Sequence, residues 1–212
     1  MIDYKAITPV PTATTRVTTG TLESLRGELV RKSLHMLIAF VPGITTVTGV
    51  LPALALLGLG VLFYTGAEYA RLHGRSVMLV SAVTVMASRP RDRGRFVAGP
   101  VTLGVGAMLA LLLYPAPAAF LAIYALAFGD GIASLIGRAF GRVQIARGTT
   151  FEGSLACFVA VFAAGLAVTG DTVIALLVAA VATVLEAIPT DDMDNMIMPV
   201  GVGLVATLLL GV

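Results

Sequence analysis

One cysteine, two histidines and a charged fraction of only 12% are what this 212-residue sequence has least of. Cys157, alone within an apolar run, excludes a disulfide framework and a cysteine-based zinc site and reads as an inert buried thiol. His35 and His73 are too few for a zinc centre. The scarcity of charge is more telling, because soluble globular domains average about 25% charged residues. With 58% hydrophobic residues and a mean hydropathy of +0.97, the chain is expected to be an integral, multi-pass membrane protein. Residues 1–27 are polar and Thr-rich and lack the apolar run of a cleavable signal peptide. They are expected to be a flexible or interfacial lead-in to a single membrane domain over 28–212. No solenoid repeat period is present.

Apolar runs long enough to cross about 30 Å of hydrocarbon fall at 34–50, 51–69, 96–114, 116–137, 153–170, 172–189 and 196–212. They predict an all-α, polytopic membrane helix bundle of about seven transmembrane helices. The segment 76–88 is apolar but too short to span and has arginines on both sides, so a short in-plane or re-entrant helix is expected. The connections at 49–52, 114–117 and 169–172 carry only Asp171, while all 14 Lys and Arg residues fall on the other side. The positive-inside rule assigns that side, with the N-terminus, to the cytoplasm and places the C-terminus on the opposite face.

Against this background the carboxylates need a reason, since charge buried in hydrocarbon is costly unless a cation or a donor compensates. Glu186, Asp191, Asp192 and Asp194 crowd the end of one apolar segment. Glu68, Asp130 and Glu186 each lie near the expected cytoplasmic end of a different span, which predicts convergence at one depth; for Glu68, a simple i,i+3 pair with Arg71 is an equal alternative. Asp130 stands in a glycine-rich run from Gly129 to Gly141 that permits close approach of backbone or ligand. That run lacks the Gly-Lys-Ser/Thr of a P-loop, follows no strand as a dinucleotide fingerprint would, and lacks the later spaced aspartates of the CDP-alcohol phosphotransferases.

Glu28, Arg31, Lys32 and His35 follow i, i+3, i+4, i+7 and so share one helix stripe, suited to a polyanion or to an interfacial anchor. The arginines from Arg89 to Arg95, with Arg138, Arg142 and Arg147, suit a triphosphate or simply the positive-inside bias. Thr149, Thr150, Glu152, Gly153 and Ser154 open a span, where free N–H groups and hydroxyls make either a phosphate cradle or a helix cap.

In sequence order these blocks resemble the phytol kinase and dolichol kinase family, most closely its short phytol-kinase-like branch. The blocks are Glu28-x-x-Arg31-Lys32-x-x-His35, Gly99-Pro100, Gly129-Asp130-Gly131-Ile132-Ala133-x-x-x-Gly137-Arg138-x-Phe140-Gly141, Glu152-Gly153-Ser154, Glu186-x-x-Pro189, Asp194-Asn195 and Pro199. The resemblance covers about residue 28 to the C-terminus. It departs at Thr149, where the family usually has Lys; the nearest cation is Arg147.

The resemblance implies an enzyme that transfers the γ-phosphoryl group of CTP, or another nucleoside triphosphate, to the hydroxyl of an isoprenoid lipid alcohol with Mg²⁺ assistance. On that basis Asp130, Glu186 and Asp194 are expected to hold Mg²⁺, with Asp191 and Asn195 in support. Arg31, Lys32, Arg138 and Arg147 are expected on the triphosphate, aided by Thr150, Glu152, Gly153 and Ser154. His35, or Asp130 if free of metal, is the candidate proton acceptor. A membrane cytidylyltransferase and, further off, a cation- or proton-coupled transporter are the alternatives. No nucleic-acid partner is expected.

Overall fold

The computed structural model describes residues 26–75, 77–88, 92, 94–146, 148–188 and 193–212. Residues 26–37 form helix α1, which passes through a 3₁₀ turn, Ile38–Phe40, into α2, Val41–Thr48. Pro42 explains the tightened turn, because it lacks an N–H and its ring crowds the carbonyl four residues back. Gly49 alone separates α2 from α3, Val50–Leu72; α4, Met78–Ala87, and α5, Gly99–Leu113, follow. The next helix is continuous over Ala118–Phe140. It consists of α6, Ala118–Tyr124, a π segment, Ala125–Asp130, and α7, Gly131–Phe140. A small antiparallel hairpin, β1 (Gln144–Ala146) with β2 (Thr149–Thr150), leads into α8, Phe151–Thr169. The chain ends with α9, Thr172–Glu186, and α10, Asp194–Leu210.

The middle helix is the axis of the fold. Ala118, Ala119, Ala122, Ala125 and Ala127 are fully buried, and such small side chains let neighbouring backbones come close where no water drives association. One core joins α6 to α8, α9 and α10 through Leu121, Cys157, Val161, Val178, Met198 and Val202. A second joins it to α2, α3 and α5 through Val41, Ala53, Leu103, Ala107 and Leu126. Cys157 is a buried free thiol, as expected. Large apolar side chains face outward instead, among them Leu51, Leu59, Leu62 and Phe63 on α3. Small residues inside and large apolar ones outside suit a helix bundle surrounded by hydrocarbon.

Among the described residues, three helices are long and apolar enough to cross a membrane: Val50–Leu72, Ala118–Phe140 and Phe151–Thr169. Helices α5, α9 and α10 are apolar but shorter, at 15, 15 and 17 residues. The first expected span is divided between α1 and α2 by the 3₁₀ turn. The structure is thus predominantly helical, with the hairpin as an unexpected addition made by the connection between α7 and α8. Helix α4 has 10 residues, too few to span, and packs beside α3.

One contact fixes α5 against α10. Pro199 inside α10 cannot donate to the Asn195 carbonyl four residues earlier. A Cβ built on Gly106 would come within 1.9 Å of that carbonyl oxygen, so only glycine lets the two backbones meet there.

Candidate functional site

The stripe on α1 meets the π segment and α7. Lys32 Nζ and Asp130 Oδ2 form a buried ion pair. His35 Nδ1 lies 3.0 Å from the same oxygen, without the alignment of a hydrogen bond. Ser134, one helical turn beyond Asp130, donates its hydroxyl to Oδ1 at 3.3 Å. Lys32, His35 and Asp130 are 3%, 5% and 7% exposed, so each charge depends on its neighbours for compensation rather than on water. The π segment ends at Asp130, and such wide turns recur at functional sites because they re-aim side chains within a helix.

A second carboxylate organises the arginines. Glu28 is buried and pairs with Arg31 of its own helix; Arg138 Nη2 of α7 lies 2.9 Å from the same Glu28 Oε2. Arg31 Nε is buried and has no hydrogen-bond partner among the described residues. The stripe therefore carries Glu28 and Lys32 as partners of α7 and the π segment, and brings Arg31 and Arg138 to one oxygen of a single acid.

The other expected site residues form separate groups. Ser154 Oγ donates to Glu186 Oε2 at 3.4 Å, joining α8 to the end of α9. Thr150 Oγ1 accepts the Gly153 N–H at 3.2 Å, so Thr150 caps α8 and uses one N–H of the expected phosphate cradle. Gly153 is needed for packing: its Cβ would lie 2.9 Å from the Ala133 carbonyl oxygen of α7. Glu152 accepts the Val143 N–H at 3.4 Å and braces the hairpin. Asp194 Oδ1 accepts the Asn195 N–H at 2.8 Å. Asn195 is buried and donates from Nδ2 to Thr102 Oγ1 at 2.9 Å and to the Gly99 carbonyl at 3.4 Å, which ties α10 to the start of α5. Its Oδ1 has no partner among the described residues. Arg147 and Asp191 lie outside the described residues.

Glu68 takes the pairing expected as its alternative. It receives Arg71 Nε and Nη2, each at 2.7 Å, and the Val97 N–H at 2.9 Å. Arg71 also donates to the Arg95 carbonyl at 3.1 Å, and Tyr64 Oη to that of Val97 at 3.1 Å. Glu68 is a clamp that pins the segment before α5 onto α3.

Among the described residues, no three His, Cys, Asp or Glu side chains form a group able to hold a metal ion. Asp130 is engaged by Lys32, His35 and Ser134, Glu186 by Ser154, and Asp194 by the Asn195 N–H. This donor set does not make a resident Mg²⁺ cage from Asp130, Glu186 and Asp194.

Two cavities flank α1. One, of about 380 Å³, lies among α1, α3, α4 and α5 and combines Arg31 and His35 with the apolar Leu34, Val83 and Leu103. The other is an apolar groove of about 590 Å³ bordered by Met36, Phe40, Tyr124, Phe128 and Val168. Ser134, Thr102 and Tyr64 were not singled out by sequence. Ser134 was the most accessible of them, as a hydroxyl at i+4 from the isolated acid.

Compared with known proteins, the chain matches no family model, no curated protein and no solved structure.

Proposed function

We propose that this protein is a multi-pass membrane lipid kinase that transfers the γ-phosphoryl group of a nucleoside triphosphate, CTP in the first instance, to the hydroxyl of an isoprenoid alcohol. The observation that carries the reading is the buried constellation of Lys32, Asp130 and His35, flanked by Arg31 and Arg138 and bordered by a largely apolar cavity. In the proposed topology about seven helices cross the membrane, with the basic face and the site towards the cytoplasm, where the nucleotide is available.

Phosphoryl transfer needs alignment and charge neutralisation more than a covalent nucleophile. Arg31, Lys32 and Arg138 supply cations held in fixed positions by Glu28 and Asp130, so little reorganisation is needed when the phosphates arrive. With Nδ1 turned to Asp130, His35 has Nε2 left for the substrate hydroxyl. The alcohol oxygen bonds to the γ-phosphorus, the bond from that phosphorus to the β–γ bridging oxygen breaks, and the hydroxyl proton passes to His35. A lipid phosphate and a nucleoside diphosphate result. Mg²⁺ enters this reading as part of the nucleotide complex, since it commonly binds through phosphates and retains waters.

The test is turnover of γ-labelled CTP by purified protein in lipid nanodiscs, with a panel of isoprenoid alcohols. Labelled lipid phosphate together with CDP supports the kinase. Pyrophosphate release with formation of a CDP-lipid would instead establish a cytidylyltransferase. Cation or proton flux in proteoliposomes without nucleotide turnover would establish a transporter. Asp130→Asn is expected to reduce phosphorylation at least a hundredfold in folded protein.

A further inference from the structure

Helix α4 has no role in the chemistry just described, yet it forms one wall of the cavity that reaches the site. At about 380 Å³ the cavity sits at the small end of the range of ligand sites, roughly 300–1,000 Å³, and most of its lining is apolar. Val80, Val83 and Ala87 of α4 line it together with Leu34 and Leu103. Its polar lining is Arg31, whose Nε is buried and has no hydrogen-bond partner among the described residues, together with His35, Tyr64, Thr84 and Asp92. An orphaned buried donor beside apolar walls calls for a ligand with one oxygen-bearing end and a hydrocarbon body.

Resting on the kinase reading above, we infer that this cavity receives the acceptor alcohol, its hydroxyl at Arg31 and His35 and its first isoprene units against α4, and that Val83 sets which acceptors fit. Arg31 then serves two substrates. Its Nη2 is held by Glu28 next to Arg138, on the phosphate side, while Nε, without a partner among the described residues, is offered to the hydroxyl. One guanidinium thereby aligns the nucleophilic oxygen with the phosphorus it attacks, the positional requirement of the transfer. The cavity's size favours an alcohol whose functional end is slim, without a second acyl chain beside it, and so disfavours diacylglycerol.

The position of α4 is fixed by contacts independent of any ligand. A Cβ on Gly27 would come within 3.0 Å of the Met86 carbonyl, so α1 and α4 are closely apposed near one end of the cavity. Thr84, buried on the same helix, also lines it, as does Tyr64 of α3.

The decisive experiment combines photolabelling with turnover. A C15 isoprenoid alcohol carrying a diazirine near its hydroxyl is irradiated with the intact protein in nanodiscs, and the adducts are mapped by mass spectrometry. Labels on α4 and on Leu103, competed by unmodified alcohol, are expected. Val83→Trp is expected to lower kcat/KM for the C15 alcohol at least tenfold while leaving nucleotide binding unchanged. Val83→Ala, which avoids crowding, is expected to shift preference towards bulkier acceptors. Phosphorylation by wild-type protein with labels confined to the groove at Tyr124 and Phe128, or with an acceptor profile unaltered in both variants, would overturn the assignment and leave the kinase intact. Competed labelling of α4 without any phosphorylation would have the opposite meaning: the cavity binds the alcohol and the kinase reading fails.

Discussion

Lys32 and Asp130, 98 positions apart, form a buried ion pair that joins the first described helix to the central one. Both the packing of α1 and the electrostatics of the site depend on it.

Removing one partner should be worse than removing both. Lys32→Met leaves Asp130 without its main compensating charge and is expected to cost about 3–5 kcal/mol, whereas adding Asp130→Leu should recover most of that loss. Unfolding of the single and double variants in the same detergent measures the difference. A double variant no more stable than Lys32→Met would contradict the pairing. Neither variant is expected to turn over.

Glu28 is the support for two cations at once. Glu28→Gln keeps the shape but weakens charge-assisted contacts to Arg31 and Arg138. The expected result is a roughly tenfold rise in KM for the nucleotide, about 1.4 kcal/mol, with a smaller change in kcat. Steady-state kinetics over a range of nucleotide concentrations gives both values, and an unchanged KM would remove the two arginines from the phosphate site.

The clamp at Glu68 makes a different prediction, because it acts on architecture. Glu68→Gln loses the charge that binds Arg71 and weakens the acceptor for the Val97 N–H. A loss of about 1–3 kcal/mol is expected, with faster tryptic cleavage after Arg95 and no change in Mg²⁺ dependence. A shift in Mg²⁺ dependence would contradict this purely architectural role for Glu68.

Packing between α5 and α10 can be tested by adding one methyl group. Gly106→Ala drives a Cβ into the Asn195 carbonyl and is expected to destabilise by about 1–3 kcal/mol or more. Gly43 of α2 has nothing within 4 Å of an added Cβ, so Gly43→Ala should be neutral or slightly stabilising. Thermal melts of the pair compare close packing with helix propensity directly.

Much of this arrangement was legible in the residues. The spacing of Glu28, Arg31, Lys32 and His35 placed them on one stripe, and Asp130 stood out because an isolated acid in an apolar run requires a partner. The break at Gly49 and the shortness of α4 were likewise readable, since a helix must be long enough to cross and a chain must turn somewhere. Partner choice was not readable. Asp130 was expected on a metal and is held by Lys32 and His35, and Glu68 was drawn equally towards convergence and towards Arg71, which it takes. Thr150 shows the same limit: a hydroxyl at a helix start suits a phosphate and a backbone N–H equally, and local geometry gave it to Gly153.

Composition and periodicity by themselves determined the apolar helical character, the positions of most helices and the identity of the rare buried charges, because these follow from the chain's own pattern of apolar and polar residues. Only tertiary structure decided which charge meets which, where α4 closes a cavity, and how Pro199 and Gly106 bring α10 to α5. Those outcomes depend on distances between segments far apart in sequence. The short-range forces that set them act only once the helices have packed.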